Sequence, residues 1–355
     1  MIDLSRAIPW GLFIGSAFAS LFLSYSGGVF VAPCIKKRIS KTGRIMPPEI
    51  GGAIIFFSLS ITFLVLFILY PGTFFGDFRK LFSVVAAATL IFLLGFIDDQ
   101  RSLHYSIKIL SEVIIVSILP LSGFRLDLIT NIGGAALYLP VWLGSAVMVG
   151  WIIFMMNAVN LIDGLDGLAA GVVAMASFTI FLLGCFDNYF IAAGALALAC
   201  ALLGILPFNT YPAKFYLGDS GSLFIGFLIG VFSLFFHVKT YVALAIFIPL
   251  LILFVPIFNT ILVIISRLKR GKNPFKGDIF HLHYRLVRQG LSHQSTVLFL
   301  WAVTASLCVL VVARQYFPYR PRTILFLSGI LIFYTILVQF FLDYLKVRRL
   351  SRAKR

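Results

Sequence analysis

The chain has 355 residues, 61% of them hydrophobic and 12% charged, with a mean hydropathy of +1.04. That balance excludes a water-soluble globular domain, whose apolar share is roughly 45–50%. A net charge of +16 would suit nucleic acid, but the basic residues stand in short segments between apolar runs, where membrane orientation and anionic headgroups account for them. We therefore read a polytopic membrane protein, one membrane-embedded domain over 1–355 with no nucleic-acid partner.

Runs of about twenty apolar residues mark spans. They fall near 8–31, 50–70, 81–97, 106–122, 143–160, 168–184, 190–206, 221–236, 241–265, 295–313 and 323–345, which predicts an all-α fold of about eleven transmembrane helices. The first run is too long for a signal-peptide core and is expected to remain as a helix. Between Gly123 and Leu143 the sequence reads as an external hairpin or re-entrant piece. Cys34, Cys185, Cys200 and Cys308 lie in or beside apolar runs with no CxxC spacing, as small hydrophobes do.

Lysine and arginine in alternate loops set the orientation. Lys36, Lys37, Arg38, Lys41 and Arg44, then Arg101 and Lys108, then Lys214, then Arg267 to Arg288 and the tail from Lys346 to Arg355 fall on one side. The other side holds few. This places the amino terminus outside and the carboxyl terminus in the cytoplasm, with cytoplasmic loops at about 32–49, 98–106, 161–167, 207–220 and 266–294 and a tail at 346–355. All the polar motifs then share the cytoplasmic face, although none of them entered the count.

In chain order, Pro47-Pro48-Glu49-Ile50-Gly51-Gly52 is a turn that says little by itself. Asp98 and Asp99 end the third span, where adjacent carboxylates repel unless a cation relieves them. Their simpler reading is a solvated helix end pairing with Arg101, and Lys108 and Glu112, four residues apart, suit a mutual ion pair. Asn157, Asn160, Asp163 and Asp166 recur at intervals of three, a slowly drifting stripe on a helix. Gly164 and Gly167 loosen that helix and let backbone approach a ligand. At mid-depth each Asp would cost roughly 3 kcal/mol, so these groups belong at the water boundary or to function.

Gly218-Asp219-Ser220-Gly221-Ser222 opens the eighth span, where freed N–H groups face an anion and a carboxylate can hold a phosphate-bridging metal. An ordinary helix cap is the alternative. Tyr216 offers a ring to stack on a base or simply to anchor the interface. The longest cytoplasmic loop carries Asp278-Ile279-Phe280-His281-Leu282-His283-Tyr284-Arg285, a set that suits phosphate better than zinc, since no Cys or third His lies near; a surface amphipathic loop held to anionic lipid by its basic residues is the alternative. Six cytoplasmic carboxylates (Asp98, Asp99, Asp163, Asp166, Asp219 and Asp278) facing many cations fit Mg²⁺ and a multiply phosphorylated substrate.

Taken together, these motifs resemble those of the polyprenyl-phosphate N-acetylhexosamine-1-phosphate transferases, the glycosyltransferase 4 superfamily of WecA, TagO and MraY. The resemblance covers essentially the whole chain, and the His281-Leu282-His283 loop is most similar to the WecA and TagO branch. Tyr284 departs from it, standing where that branch carries a second adjacent His. The resemblance implies transfer of N-acetylhexosamine 1-phosphate, most simply GlcNAc 1-phosphate, from a UDP-sugar to undecaprenyl phosphate, with release of UMP, at the cytoplasmic face of the inner membrane. Another donor (GalNAc, a deoxy-amino sugar or UDP-MurNAc-pentapeptide) is the alternative within the reaction. A transporter or lipid flippase is the alternative outside it, although such proteins hold their ionisable residues near mid-membrane.

On the same resemblance, Asp219 with Asn160 is expected to hold Mg²⁺, with Mn²⁺ as a substitute. Asp98 would accept or orient the proton of the lipid phosphate, while Asp99 supports the metal or Lys108. Asp163 and Asp166 would bind the nucleotide-sugar, with Tyr216 near the uracil and Asn157 supporting the turn. His281, His283 and Arg285 would contact the pyrophosphate or sugar. A homodimer in membrane lipid is the expected assembly.

Overall fold

A computed structural model describes residues 10–33, 38–39, 45–71, 78–126, 128–130, 136–138, 140–236, 244–271 and 281–316. Cys34, Lys36, Lys37, Lys41, Arg44, Asp278, the expected span at 323–345 and the tail lie outside the described residues. The fold is helical: α1 (Trp10–Val31), α2 (Gly51–Leu69), α3 (Phe78–Arg101), α4 (Tyr105–Val116), α5 (Ile118–Leu121), α6 (Val141–Ile162), α7 (Leu168–Gly184), α8 (Tyr189–Asn209), α9 (Gly218–Phe235), α10 (Leu244–Ile252), α11 (Phe254–Leu268), α12 (Leu282–Arg288) and α13 (His293–Tyr316). Two short antiparallel hairpins complete it, β1 (Arg38–Ile39) with β2 (Ile45–Met46), and β3 (Leu128–Thr130) with β4 (Ala136–Tyr138). The second lies in the stretch expected to form a hairpin.

Seven of the described helices, α1, α2, α3, α6, α8, α9 and α13, are long and apolar enough to cross a membrane, and α7 and α11 are shorter apolar helices. Two expected spans are broken, and proline explains both. Pro120 has no N–H for the carbonyl of Val116, and its ring crowds that carbonyl, so the expected 106–122 helix stops at Val116 and resumes as the four-residue α5. Pro256 stands in the same relation to Ile252, where the expected 241–265 span divides at Leu253 into α10 and α11.

The hub is α9, buried without interruption from Ser220 to Ser233. It packs on α2, α3, α6, α7 and α8. At its first turn two other helices come in at backbone distance. A Cβ on Gly52 of α2 would strike the backbone of Gly221, and one on Gly95 of α3 would strike that of Asp219 and Ser220. Only glycine allows three helix ends to meet so closely. The turn ahead of α2 is bound to the segment ahead of α9: Tyr216 N–H donates to Pro48 O (2.8 Å), Gly51 N–H to Tyr216 O (2.9 Å) and Gly52 N–H to Leu217 O (3.0 Å). The Pro47-to-Gly52 turn, uninformative as sequence, is thus the partner that fixes where α9 begins.

Candidate functional site

Where α3, α6 and α9 end or begin, a cavity of about 390 Å³ opens, lined by Glu49, Asp99, Asn160, Asp163, Asp166, Asn209, Tyr216, Asp219, Ser222 and Tyr284. Its polar wall is built by capping. The carboxylate of Asp99, from the last turn of α3, accepts the Asp219 N–H on Oδ1 (2.6 Å) and the Ser220 N–H on Oδ2 (3.0 Å). It therefore caps α9 from a different helix, where a negative charge also meets the positive end of the helix dipole. Gly218 has φ +77°, and a Cβ there would crowd the same carboxylate.

Asp98, one residue earlier, points elsewhere. Its Oδ1 accepts the Leu103 N–H (2.7 Å), and its Oδ2 lies 2.7 Å from Lys108 Nζ. The same ammonium reaches Asp219 Oδ1 at 3.3 Å. Lys108 thus ties α3 and α9 together from α4. The expected ion pair between Lys108 and Glu112 is not what forms, because the ammonium is drawn to two carboxylates at once. Nor does Asp98 rely on Arg101. Buried Glu112 instead accepts an amide hydrogen bond from Asn157 (2.7 Å), which also donates to Ile153 O (3.0 Å).

Asn160, one turn on, donates from Nδ2 to Asp219 Oδ1 in a short contact and to Ser222 Oγ at 3.0 Å. Asp163 ends α6 as its C-cap. Its carboxyl is pushed up to about 8, by burial first and then by the negative charges of Asp219, Asp99, Asp166 and Glu49. Among the described residues, Lys108 brings an ammonium to this cluster through Asp219. Among the described residues no three His, Cys, Asp or Glu gather closely enough to cage a metal unaided. Asp219, Asn160 and Ser222 do offer a set of oxygen donors, the chemistry of a hard cation that completes its shell with water and substrate oxygens.

The 163–167 turn is held from outside. Asp166 N–H donates to His293 Nε2 (2.9 Å), and Asp166 Oδ2 accepts the Ala213 N–H (3.1 Å). Tyr284 Oη donates to Gly164 O at 3.3 Å. His281 and His283 stack with ring centres 5.3 Å apart, and buried His283 lies against Gly164, so closely that a Cβ there would strike its Nε2. Burial, then His281 and His293, lower the His283 pKa to about 3, so this ring is neutral near pH 7.

Of the sequence-predicted site residues, Asp99, Asn160, Asp163, Asp166, Tyr216 and Asp219 line one cavity. Asp98 and Lys108 adjoin it through Asp219, and His281 and His283 stand behind Gly164. Asn157 faces Glu112, and Arg285 donates to Ser266 Oγ (3.3 Å) beside Arg270, so neither lines the cavity. Glu49, Ser222 and Tyr284 stand inside sequence motifs that assign them no place in a cavity wall, while Asn209 and His293 fall outside every motif. Gly51-Gly52 after Glu49 signalled a close backbone approach; a lone His opening an apolar helix signals nothing.

Residues 81–237 match glycosyl transferase family 4, a stretch running from α3 to the end of α9. The chain is 30% identical over 287 residues, 78% of each chain, to the "Probable undecaprenyl-phosphate N-acetylglucosaminyl 1-phosphate transferase" of Bacillus subtilis (strain 168). It is 33% identical over 243 residues, 62% of this chain and 60% of the relative, to the decaprenyl-phosphate N-acetylglucosaminephosphotransferase of Mycolicibacterium smegmatis. To the phospho-N-acetylmuramoyl-pentapeptide-transferase of Oceanobacillus iheyensis it is 33% identical over 286 residues, 74% of this chain and 81% of the relative.

Proposed function

Since the chain belongs to glycosyl transferase family 4, the polyprenyl-phosphate N-acetylhexosamine-1-phosphate transferases, we propose that it transfers GlcNAc 1-phosphate from UDP-GlcNAc to undecaprenyl phosphate. A phosphate oxygen of the lipid attacks the sugar-bearing phosphorus of the donor. A new P–O–P linkage forms, the bond to the departing phosphate breaks, and UMP leaves, giving undecaprenyl-pyrophosphoryl-GlcNAc for a cell-envelope polysaccharide. The observation that carries this reading is Lys108 held between Asp98 and Asp219 at the edge of a carboxylate-lined cavity.

Two polyanions must meet here, so charge compensation and positioning are the main tasks. Asp219 and Asn160, with Ser222 beside them, fit Mg²⁺, which when bound neutralises phosphate charge. Asp99 holds the α9 amides and so fixes Asp219. Lys108 offers an ammonium to the lipid phosphate, and Asp98 orients that ammonium and any proton the phosphate still carries. Asp163 and Asp166 face the donor from the α6 turn, with Tyr216 placed to meet the uracil. We further propose a multi-pass chain of about eleven spans in the inner membrane, amino terminus outside, site facing the cytoplasm.

The muramoyl-pentapeptide relative makes a bulkier donor the second reading within the same reaction. The test incubates purified protein with undecaprenyl phosphate, Mg²⁺ and a panel of UDP-sugars, and measures UMP. UMP with UDP-GlcNAc is the expected result. No UMP with any sugar would refute the transferase, and UMP with UDP-MurNAc-pentapeptide alone would replace the donor.

A further inference from the structure

We infer that His293 is a positioning residue for the nucleotide-sugar, acting through Asp166. It lies 127 residues beyond its partner in sequence, at the first position of α13. Its Nε2 accepts the Asp166 backbone N–H at 2.9 Å, so the neutral ring carries its hydrogen on Nδ1. Tyr211 lies over the ring, with centroids 4.8 Å apart and planes tilted by 34°. That contact leaves the imidazole little freedom to turn away.

The target of this clamp is a turn with no ladder of its own. Between the end of α6 and the start of α7, residues 163–167 run without regular structure, and Gly167 takes φ +79°. Asp166 is therefore placed by two bonds from other elements, one to His293 and one from Ala213 N–H to its Oδ2. Together they join α13, the α6 turn and the 210–216 loop. Asp166 Oδ1 lies 4.0 Å from His293 Nε2 and takes no hydrogen bond among the described residues. A carboxylate oxygen held at a cavity wall with its lone pairs open is an acceptor for a hydroxyl or N–H of the bound donor. Without His293 the turn keeps the same side chains but is free to sample other arrangements, and donor binding must then order it. The acceptor lipid and the chemical step, which use Lys108 and Asp219, do not depend on that ordering.

This inference rests on the donor reading proposed for the cavity, and the test separates the two. Wild type, His293→Ala and His293→Gln are compared in detergent by amide hydrogen exchange and by UMP release with each substrate varied. Glutamine keeps an acceptor at similar reach without the ring. In His293→Ala the Asp166 amide should lose protection and the KM for the UDP-sugar should rise about tenfold, the scale of one hydrogen bond. The KM for polyprenyl phosphate and kcat should stay within about twofold, and His293→Gln should restore both protection and donor KM. An unchanged donor KM in His293→Ala, an equal fall in every parameter, or no rescue by Gln overturns the inference while leaving the transferase intact. A wild type that binds and turns over no UDP-sugar overturns the donor reading and this inference with it.

Discussion

Replacing Lys108 with methionine keeps the apolar stem of the side chain and removes the ammonium that two helices share. In the native protein Nζ lies 2.7 Å from Asp98 and 3.3 Å from Asp219, with the side chains of Lys108, Asp98 and Asp219 at 14%, 8% and 35% exposure. Breaking a buried pair by removing one partner costs about 3–5 kcal/mol, because the other charge is left uncompensated. The Asp98 contact belongs to that regime. The Asp219 contact is about a third exposed and adds no more than about 1 kcal/mol. A loss of about 4 kcal/mol follows, which should lower Tm by roughly 10 °C. If the same ammonium meets the lipid phosphate, turnover should fall by a factor of about 10³ as well. The assay is thermal unfolding in detergent with and without Asp98→Asn, beside UMP release. The pair should be strongly non-additive, Asp98→Asn offsetting most of the damage to stability in Lys108→Met but none of the damage to turnover. A Tm within a degree or two of wild type, or strict additivity, would refute the shared-ammonium account.

The folded protein holds a proton on Asp163 near pH 8, whereas the unfolded chain releases it near 3.8. Stability from this group is therefore complete below about pH 4 and lost as pH rises toward 8, at up to about 1.4 kcal/mol per unit. Asp163→Asn should flatten that slope in metal-free thermal melts, and a slope unchanged from wild type would count against burial and neighbouring charge holding a proton on Asp163. Gly95→Ala places a methyl against the α9 backbone, and overpacking of this kind costs about 1–3 kcal/mol. It should lower Tm and reduce UMP release together, because the displaced turn carries Asp219; normal turnover would show that α9 yields without moving its carboxylate.

Hydropathy alone made most of the helices legible, and it failed where local backbone chemistry competes with it. The windows over 106–122 and 241–265 are apolar enough to cross a membrane, yet Pro120 and Pro256 each remove a donor that the preceding turn needs. The motif residues were legible because a polar group in an apolar chain is costly, but their directions were not. Asp98 and Asp99 are neighbours that serve different helices, one reaching Lys108 and the other capping α9. Asn157 and Asn160 share a spacing of three and part in the same way, toward Glu112 and Asp219. Lys108 stands four residues from Glu112 in the sequence, while the fold brings Asp98 and Asp219 to its ammonium. His293 and Glu49 lay beyond reach because their partners are set by tertiary packing and no local pattern records it.

The stitching of residues 48–52 to residues 216–217 bears on how this catalytic apparatus can be cut and moved. The stretch that matches the family, 81–237, holds nearly every carboxylate of the cavity, and it looks like a cassette that a shorter protein could carry alone. It is not self-contained. Cut away from the 48–52 turn and α2, the stretch loses the acceptor for the Tyr216 amide, the amides that satisfy the carbonyls of Tyr216 and Leu217, and the Gly52 backbone laid against α9. Cut away from α13, it loses the imidazole that anchors the Asp166 turn. A fragment meant to keep the site has to extend from the turn before α2 through the start of α13, so truncation and chimera boundaries belong outside residues 47 and 293.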